Sequence, residues 1–127
     1  MGQANINRKN ILVVEDEPII AKVCMRTLST EGLQVEIVDN GKAALKVLKE
    51  KEFDLCLIDV RTPEMNGTEL YGHLKEKYPK MARKVIFTTG DVLSAYIKTF
   101  LEKSSRPYLT KPFTPEELRA VVRTVLG

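Results

Sequence analysis

The chain has 127 residues, 43% of them hydrophobic, and its 20 basic and 17 acidic side chains give a formal charge of +3. That length fits one domain with enough apolar side chains to bury roughly two thirds of its unfolded surface, so no stapling disulfide or metal is needed. A charge this mild argues against direct nucleic-acid binding, and no stretch approaches the ~18 apolar residues of a membrane span.

Taken in chain order, the polar start Met1 to Asn10 has no apolar signal core, which places the chain in the cytoplasm. The run Ile11-Leu12-Val13-Val14 is continuously apolar, as a strand covered by helices on both faces must be, and it stops at Glu15-Asp16-Glu17. Pro18 opens a helix whose apolar face carries Ile20, Val23, Cys24, Thr27 and Leu28, and Gly32 ends it. A strand from Val35 to Val38 follows, then a turn at Asn40-Gly41 and a helix marked by Ala44, Leu45 and Leu48. The third strand, Asp54 to Ile58, again stops at an acid, Asp59, and the segment Val60 to Gly67 is loop-forming through Pro63, Asn66 and Gly67.

The alternation continues with a helix over Thr68 to Lys77, a strand from Lys84 to Thr88, a helix from Val92 to Glu102 and a short strand from Tyr108 to Thr110. In the last helix Thr114 is placed to cap, Pro115 takes the first position, and Glu116 and Glu117 suit the positive dipole end. Leu118, Val121, Val122, Val125 and Leu126 form its apolar face. Five strand–helix pairs predict an α/β fold with a doubly wound parallel sheet, formed by a single domain over 1–127 with its core at about 9–126. Cys24 and Cys56 lie in apolar contexts, and with His73 the only histidine neither a zinc site nor a disulfide framework has support.

Functional groups in such sheets gather at the carboxyl ends of the strands. That rule selects Glu15 and Asp16 after the first strand, Asp59 after the third, Thr88 and Thr89 after the fourth, and Lys111 after the fifth. Carboxylates brought so close repel, and a divalent cation relieves them. Oxygen ligands from Asp16, Asp59, a backbone carbonyl and water suit Mg²⁺, which is typically held by one or two carboxylates together with phosphate oxygens. The ligand set therefore points to phosphoryl chemistry: a carboxylate nucleophile, a lysine to neutralise the transferring oxygens, and the Thr89 hydroxyl as a donor that acts once the group is present.

The segments Ile11 to Pro18, Asp54 to Asp59 with Pro63-Glu64-Met65-Asn66-Gly67, Phe87-Thr88-Thr89-Gly90 and Tyr108 to Phe113 resemble response-regulator receiver domains of two-component systems over about Lys9 to Leu126. The resemblance implies a five-stranded sheet in the flavodoxin-like order 2-1-3-4-5 with helices on both faces. It implies Glu15 and Asp16 for metal binding, Asp59 as phosphoacceptor, the Arg61 carbonyl as a further Mg²⁺ ligand, Thr89 as switch hydroxyl, Lys111 as phosphate partner and a cis Lys111-Pro112 bond. The phosphodonor it implies is a histidine kinase or a phosphotransfer protein. The readout is a face made by Val92 to Leu101, Tyr108 to Thr110 and Thr114 to Leu126, to which Tyr96 or Phe100 can contribute, with core packing the default for Phe100. Tyr108 stands either as an aromatic that moves on activation or as a plain edge-strand residue.

The sequence departs from the commonest pattern at Thr62 and Glu15, and neither change removes a needed group. Arg61 and Asp91, of opposite charge, flank the acceptor and the switch threonine, and are expected to pair across the phosphoryl group and obstruct attacking water. A dehalogenase-type phosphatase needs an acid where Arg61 stands, and an FMN carrier needs a Ser/Thr/Gly-rich loop where the first strand ends in acids. A degenerate receiver acting only as a protein-binding module remains the alternative, opposed by the intact Asp16, Asp59, Thr89 and Lys111. The output partner is not encoded, and the chain reads as a stand-alone regulator or as the receiver of a hybrid histidine kinase, toward which Phe87 to Phe113 leans.

Overall fold

A computed structural model describes residues 8–91 and 94–127. The strands are β1 (Asn10–Val14), β2 (Gln34–Val38), β3 (Leu55–Asp59), β4 (Val85–Thr89) and β5 (Tyr108–Thr110). The longer helices are α1 (Pro18–Thr30), α2 (Gly41–Glu50), α3 (Gly67–Lys77), α4 (Ala95–Ser104) and α5 (Pro115–Leu126). A single helical turn, Pro79–Ala82, leads into β4 and was not foreseen from the sequence. All strand pairs are parallel, in the order β2-β1-β3-β4-β5, which is the expected order.

Strand alternation sorts the apolar runs onto two faces. Leu12, Val14, Cys56, Ile58 and Phe87 pack with Ala44, Leu70, Leu74, Ile97 and Leu101 of α2, α3 and α4. On the opposite face Ile11, Val13, Leu55, Leu57 and Ile86 pack with Cys24 and Leu28 of α1 and Leu118 and Val122 of α5. This is why the three central strands read as unbroken apolar runs rather than alternating ones. Both cysteines are buried and unpaired, and burial pushes their thiols up to about 12, as inert core residues require.

Element ends follow local chemistry. Asn40, read from the sequence as part of a turn, caps α2 by accepting from the Ala43 amide at 2.8 Å. Asn66 and Glu69 form a reciprocal capping box on α3, and Thr114 and Glu117 form another on α5, as Thr114 foretold. The helix expected from Val92 begins instead at Ala95, because Ser94 accepts from the Ile97 amide and sets the start there. Val92 itself lies outside the described residues. Phe100 is half-buried in an edge-to-face trio with Tyr71 and Phe87, so it serves the core, whereas Tyr96 is 67% exposed.

One close approach fixes the loop after β3. Gly67 opens α3 so near the end of β3 that an added Cβ would stand 2.6 Å from the Asp59 carbonyl oxygen and 2.8 Å from the Val60 Cα, both backbone atoms that cannot yield cheaply. Gly72, on the exposed side of the same helix, would meet nothing within 4 Å. Gly67→Ala is therefore expected to lower stability by about 1–3 kcal/mol, while Gly72→Ala raises it by about 0.5–1 kcal/mol through helix propensity. Urea unfolding of the two variants checks the contrast, and equal effects would contradict the close approach.

Candidate functional site

The carboxyl ends of β1, β3, β4 and β5 meet at one edge of the sheet. Register places Asp59 opposite Thr88 and Thr89 opposite Thr110, and the Lys111 amide then donates to the Thr89 carbonyl at 2.8 Å. The Lys111-Pro112 bond is cis, as expected, and the Lys111 side chain reaches back over the sheet edge. Its ammonium reaches Asp59 Oδ2 at 2.8 Å, Glu15 Oε1 at 3.0 Å and Glu17 Oε1 at 2.6 Å. Asp59 and Glu15 are almost wholly buried, and Glu17 is exposed.

Carboxylate oxygens of Glu15, Glu17 and Asp59 lie within 4.8 Å of one another. Three acids share one ammonium, so two negative charges stand unbalanced when all are ionised. Burial pushes the Glu15 carboxyl up to about 7, the Glu17 amide at 3.0 Å works against that rise, and the Asp59 charge adds to it. Burial draws Lys111 down, but hydrogen bonds to Asp59, Glu17 and Glu15 prevail and hold it above the usual lysine range. This donor set fits a hard divalent cation: oxygen ligands only, two of them buried, with too little positive charge nearby.

The remaining candidates fall around this cluster. The Arg61 amide donates to Asp59 Oδ1 at 3.0 Å, and the Arg61 carbonyl accepts no hydrogen bond from the described residues. Asp16 is exposed and lies outside the three-acid cluster. Thr89 is buried, and its hydroxyl accepts from the Asp91 amide at 3.0 Å, which leaves its own hydrogen free to donate. Thr88, beside it, holds a buried hydroxyl without a partner among the described residues. The Arg61 guanidinium pairs with the Asp91 carboxylate at the rim, the pairing expected from their charges. Tyr108 is 48% exposed on β5, beside Phe87 and away from the carboxylates.

Glu17 was given no role from the sequence, although it continues the acidic run after β1. The signal was there in composition. What was missing is that the chain turns at Glu17 into α1, which brings its side chain back over Lys111 while Asp16 projects outward.

A family model described as the response regulator receiver domain matches residues 11–123. Among curated relatives, a probable histidine kinase of Oryza sativa is 32% identical over 94% of this chain and 14% of its own length. The transcriptional regulatory protein CrdR of Helicobacter pylori is 33% identical over 91% of this chain and 54% of its own length. The chain thus spans about half or less of these relatives. Two solved structures are similar throughout: a CheY-like receiver domain protein of Methanospirillum hungatei, with a TM-score of 0.85, 30% identity and 94% of each chain covered, and a receiver domain of a Pseudomonas aeruginosa sensor histidine kinase. The latter has a TM-score of 0.84 and 26% identity, covers 94% of this chain and 98% of its own, and was solved with magnesium coordinated in its active-site cleft.

The raised Glu15 carboxyl gives a pH dependence of definite sign. The folded state holds this proton more tightly than the unfolded chain, so stability falls as pH rises from about 4.5 toward about 7. Urea midpoints of the metal-free protein are expected to decline across that window relative to Glu15→Gln, which mimics the protonated side chain. A constant difference between the two would refute the shift.

Proposed function

The chain belongs to the response regulator receiver domain family of two-component systems, and we propose that it works as a single phosphoacceptor module in which Asp59 takes the phosphoryl group. The observation that carries this reading is the Lys111 ammonium at 2.8 Å from Asp59 Oδ2, within a cluster of acids at the strand ends. A buried carboxylate in that setting is a nucleophile with its charge-neutralising partner already in place.

The donor of the reading is a phosphohistidine on a histidine kinase or a phosphotransfer protein. An Asp59 carboxylate oxygen bonds to phosphorus, the phosphorus–nitrogen bond breaks, and the imidazole leaves with the electron pair and takes up a proton. Lys111 neutralises an oxygen of the transferred group, and the free hydrogen of Thr89 is donated to another. Of the clustered acids, Glu15 and Asp59 would hold Mg²⁺ in this reading, with the Arg61 carbonyl and Asp16, which stands exposed outside that cluster, as further ligands; the similar kinase receiver was solved with magnesium in its cleft. When bound, the ion balances the acids and the charge on the phosphoryl oxygens.

The protein catalyses its own loading and loss of the group, and the readout is the face formed by Ala95–Leu101, Tyr108–Thr110 and Thr114–Leu126. Exposed Tyr96 and Tyr108 give that face its apolar contacts, with Tyr108 as the residue that changes position. A cytoplasmic setting accompanies this reading, since no helix of the described residues is long and apolar enough to cross a membrane and both cysteines are free.

Incubation with Mg²⁺ and acetyl phosphate, followed by intact-mass measurement, is expected to give a one-phosphoryl adduct that Asp59→Asn lacks. Failure of the wild-type chain to gain mass would favour a module that only binds protein. Arg61 and Asp91 tune the lifetime of the adduct by closing the rim against in-line water. Because an exposed ion pair is worth at most about 1 kcal/mol, Arg61→Ala and Asp91→Ala are each expected to speed dephosphorylation up to about fivefold. Rates no faster than wild type in both would dismiss the tuning role.

A further inference from the structure

An ammonium has three hydrogens to donate, and on Lys111 three carboxylates take all of them, so a further acceptor has to displace one. The three acids are not equivalent. Glu15 and Asp59 hold the buried side of the ammonium, with side chains 3% and 7% exposed, whereas the Glu17 side chain is 58% exposed and covers the solvent side. The Glu17 contact is also the shortest of the set, at 2.6 Å. A phosphoryl group carried by Asp59 projects toward that solvent side, because the donor arrives from there, and its oxygens need a hydrogen of the same ammonium.

The backbone at Glu17 is fixed while its side chain is not. Its amide donates to Glu15 Oε2 at 3.0 Å, its carbonyl accepts from the Ala21 amide at 2.9 Å, and Pro18 follows as the first residue of α1. The carboxylate itself makes no hydrogen bond to the helix it precedes. Its contact within the described residues is Lys111, and rotation about its side-chain bonds releases it into water without moving the main chain.

Resting on the acceptor reading of Asp59, we propose that Glu17 is a positioning residue acting through Lys111: its carboxylate stands in for a phosphoryl oxygen on the ammonium and has to be displaced before the phosphoryl group is fully held. Negative charge on Glu17 and on the phosphoryl group repel, so both cannot share one ammonium at the same distance. In the empty site the solvent-side hydrogen of the ammonium is thereby held by an internal anion, and the loaded site is weakened by the fraction of time that anion occupies Lys111. Glu17 sets the threshold of the switch without touching the reacting atoms.

The test uses the whole chain with Mg²⁺ and beryllofluoride as phosphoryl mimic, with affinity read by titration calorimetry. Glu17→Gln removes the competing charge. Glu17→Asp keeps the charge on a side chain one methylene shorter, which draws it back from the 2.6 Å contact with Lys111 and separates competition at the ammonium from a general field effect. Both variants are expected to bind beryllofluoride more tightly, by about two- to fivefold, as displacing an exposed ion pair implies. Wild-type affinity in both variants, weaker binding in either, or tightening in Glu17→Gln alone would each overturn the proposal. Binding in the variants but not in the wild type would support it in its strongest form. If no chain binds the mimic and Asp59 takes no phosphoryl group from acetyl phosphate, the acceptor reading fails and this proposal with it; tight wild-type binding that neither substitution changes overturns this proposal alone.

Discussion

The arrangement of the site depends on one contact, the Lys111 ammonium held among Asp59, Glu15 and Glu17. Two of these acids are buried, and a buried carboxylate without a counter-charge is among the most costly groups a fold can contain. The lysine reaches them from the far end of the chain, from a three-residue strand at the edge of the sheet. The sheet order is what makes this possible. With β1 beside β3 and β3 beside β4, the acids after β1 and β3 are neighbours, and the turn after β5 returns Lys111 across Thr89 to meet them.

Burial of the central strands explains why the site lies at an edge of the sheet. The central strands bury both faces and leave their side chains no freedom, so polar groups can appear only where the strands run out. At that edge the backbone is still anchored: Val60 donates to the Thr88 carbonyl, and Gly67 donates to the Val60 carbonyl at 2.9 Å. Asp59 is therefore fixed by a rigid strand on one side and by the close-packed start of α3 on the other, which is the preorganisation that charge-stabilising chemistry requires. Glu64 and Met65, at the outer part of the loop, adopt positive φ, which non-glycine residues do at some cost.

Much of this was legible in the sequence because it follows from periodicity and capping. Continuous apolar runs ending in acids gave the strands and the site edge, and Thr114-Pro115-Glu116-Glu117 gave the start of α5 to the residue. Ser94 was missed as the cap of α4 because a serine near a run that already reads as helical does not announce where the turn begins. The single turn at Pro79–Ala82 has four residues, too few for a period of 3.6 to register. Glu17 and Asp16 show a different limit. Adjacent acids have the same chemistry on paper, and which of them faces Lys111 depends on the angle at which the chain enters α1, a property of packing and not of composition.

At the rim a chain of hydrogen bonds runs from the end of β4 to a surface helix. Thr89 accepts from the Asp91 amide, the Asp91 carboxylate accepts from the Ser94 amide at 3.2 Å, and Ser94 caps α4, so the end of β4 and the start of α4 are joined through one aspartate. Asp91 is at the same time paired with Arg61, two residues beyond Asp59. In the proposed reading, a phosphoryl group that draws the Thr89 hydroxyl toward itself loosens the Asp91 amide, and the Asp91 carboxylate holds both the rim arginine and the start of the helix that carries exposed Tyr96. On that reading, charge introduced at the buried strand end becomes a choice among these hydrogen-bond partners, and the choice reaches the cap of an outer helix.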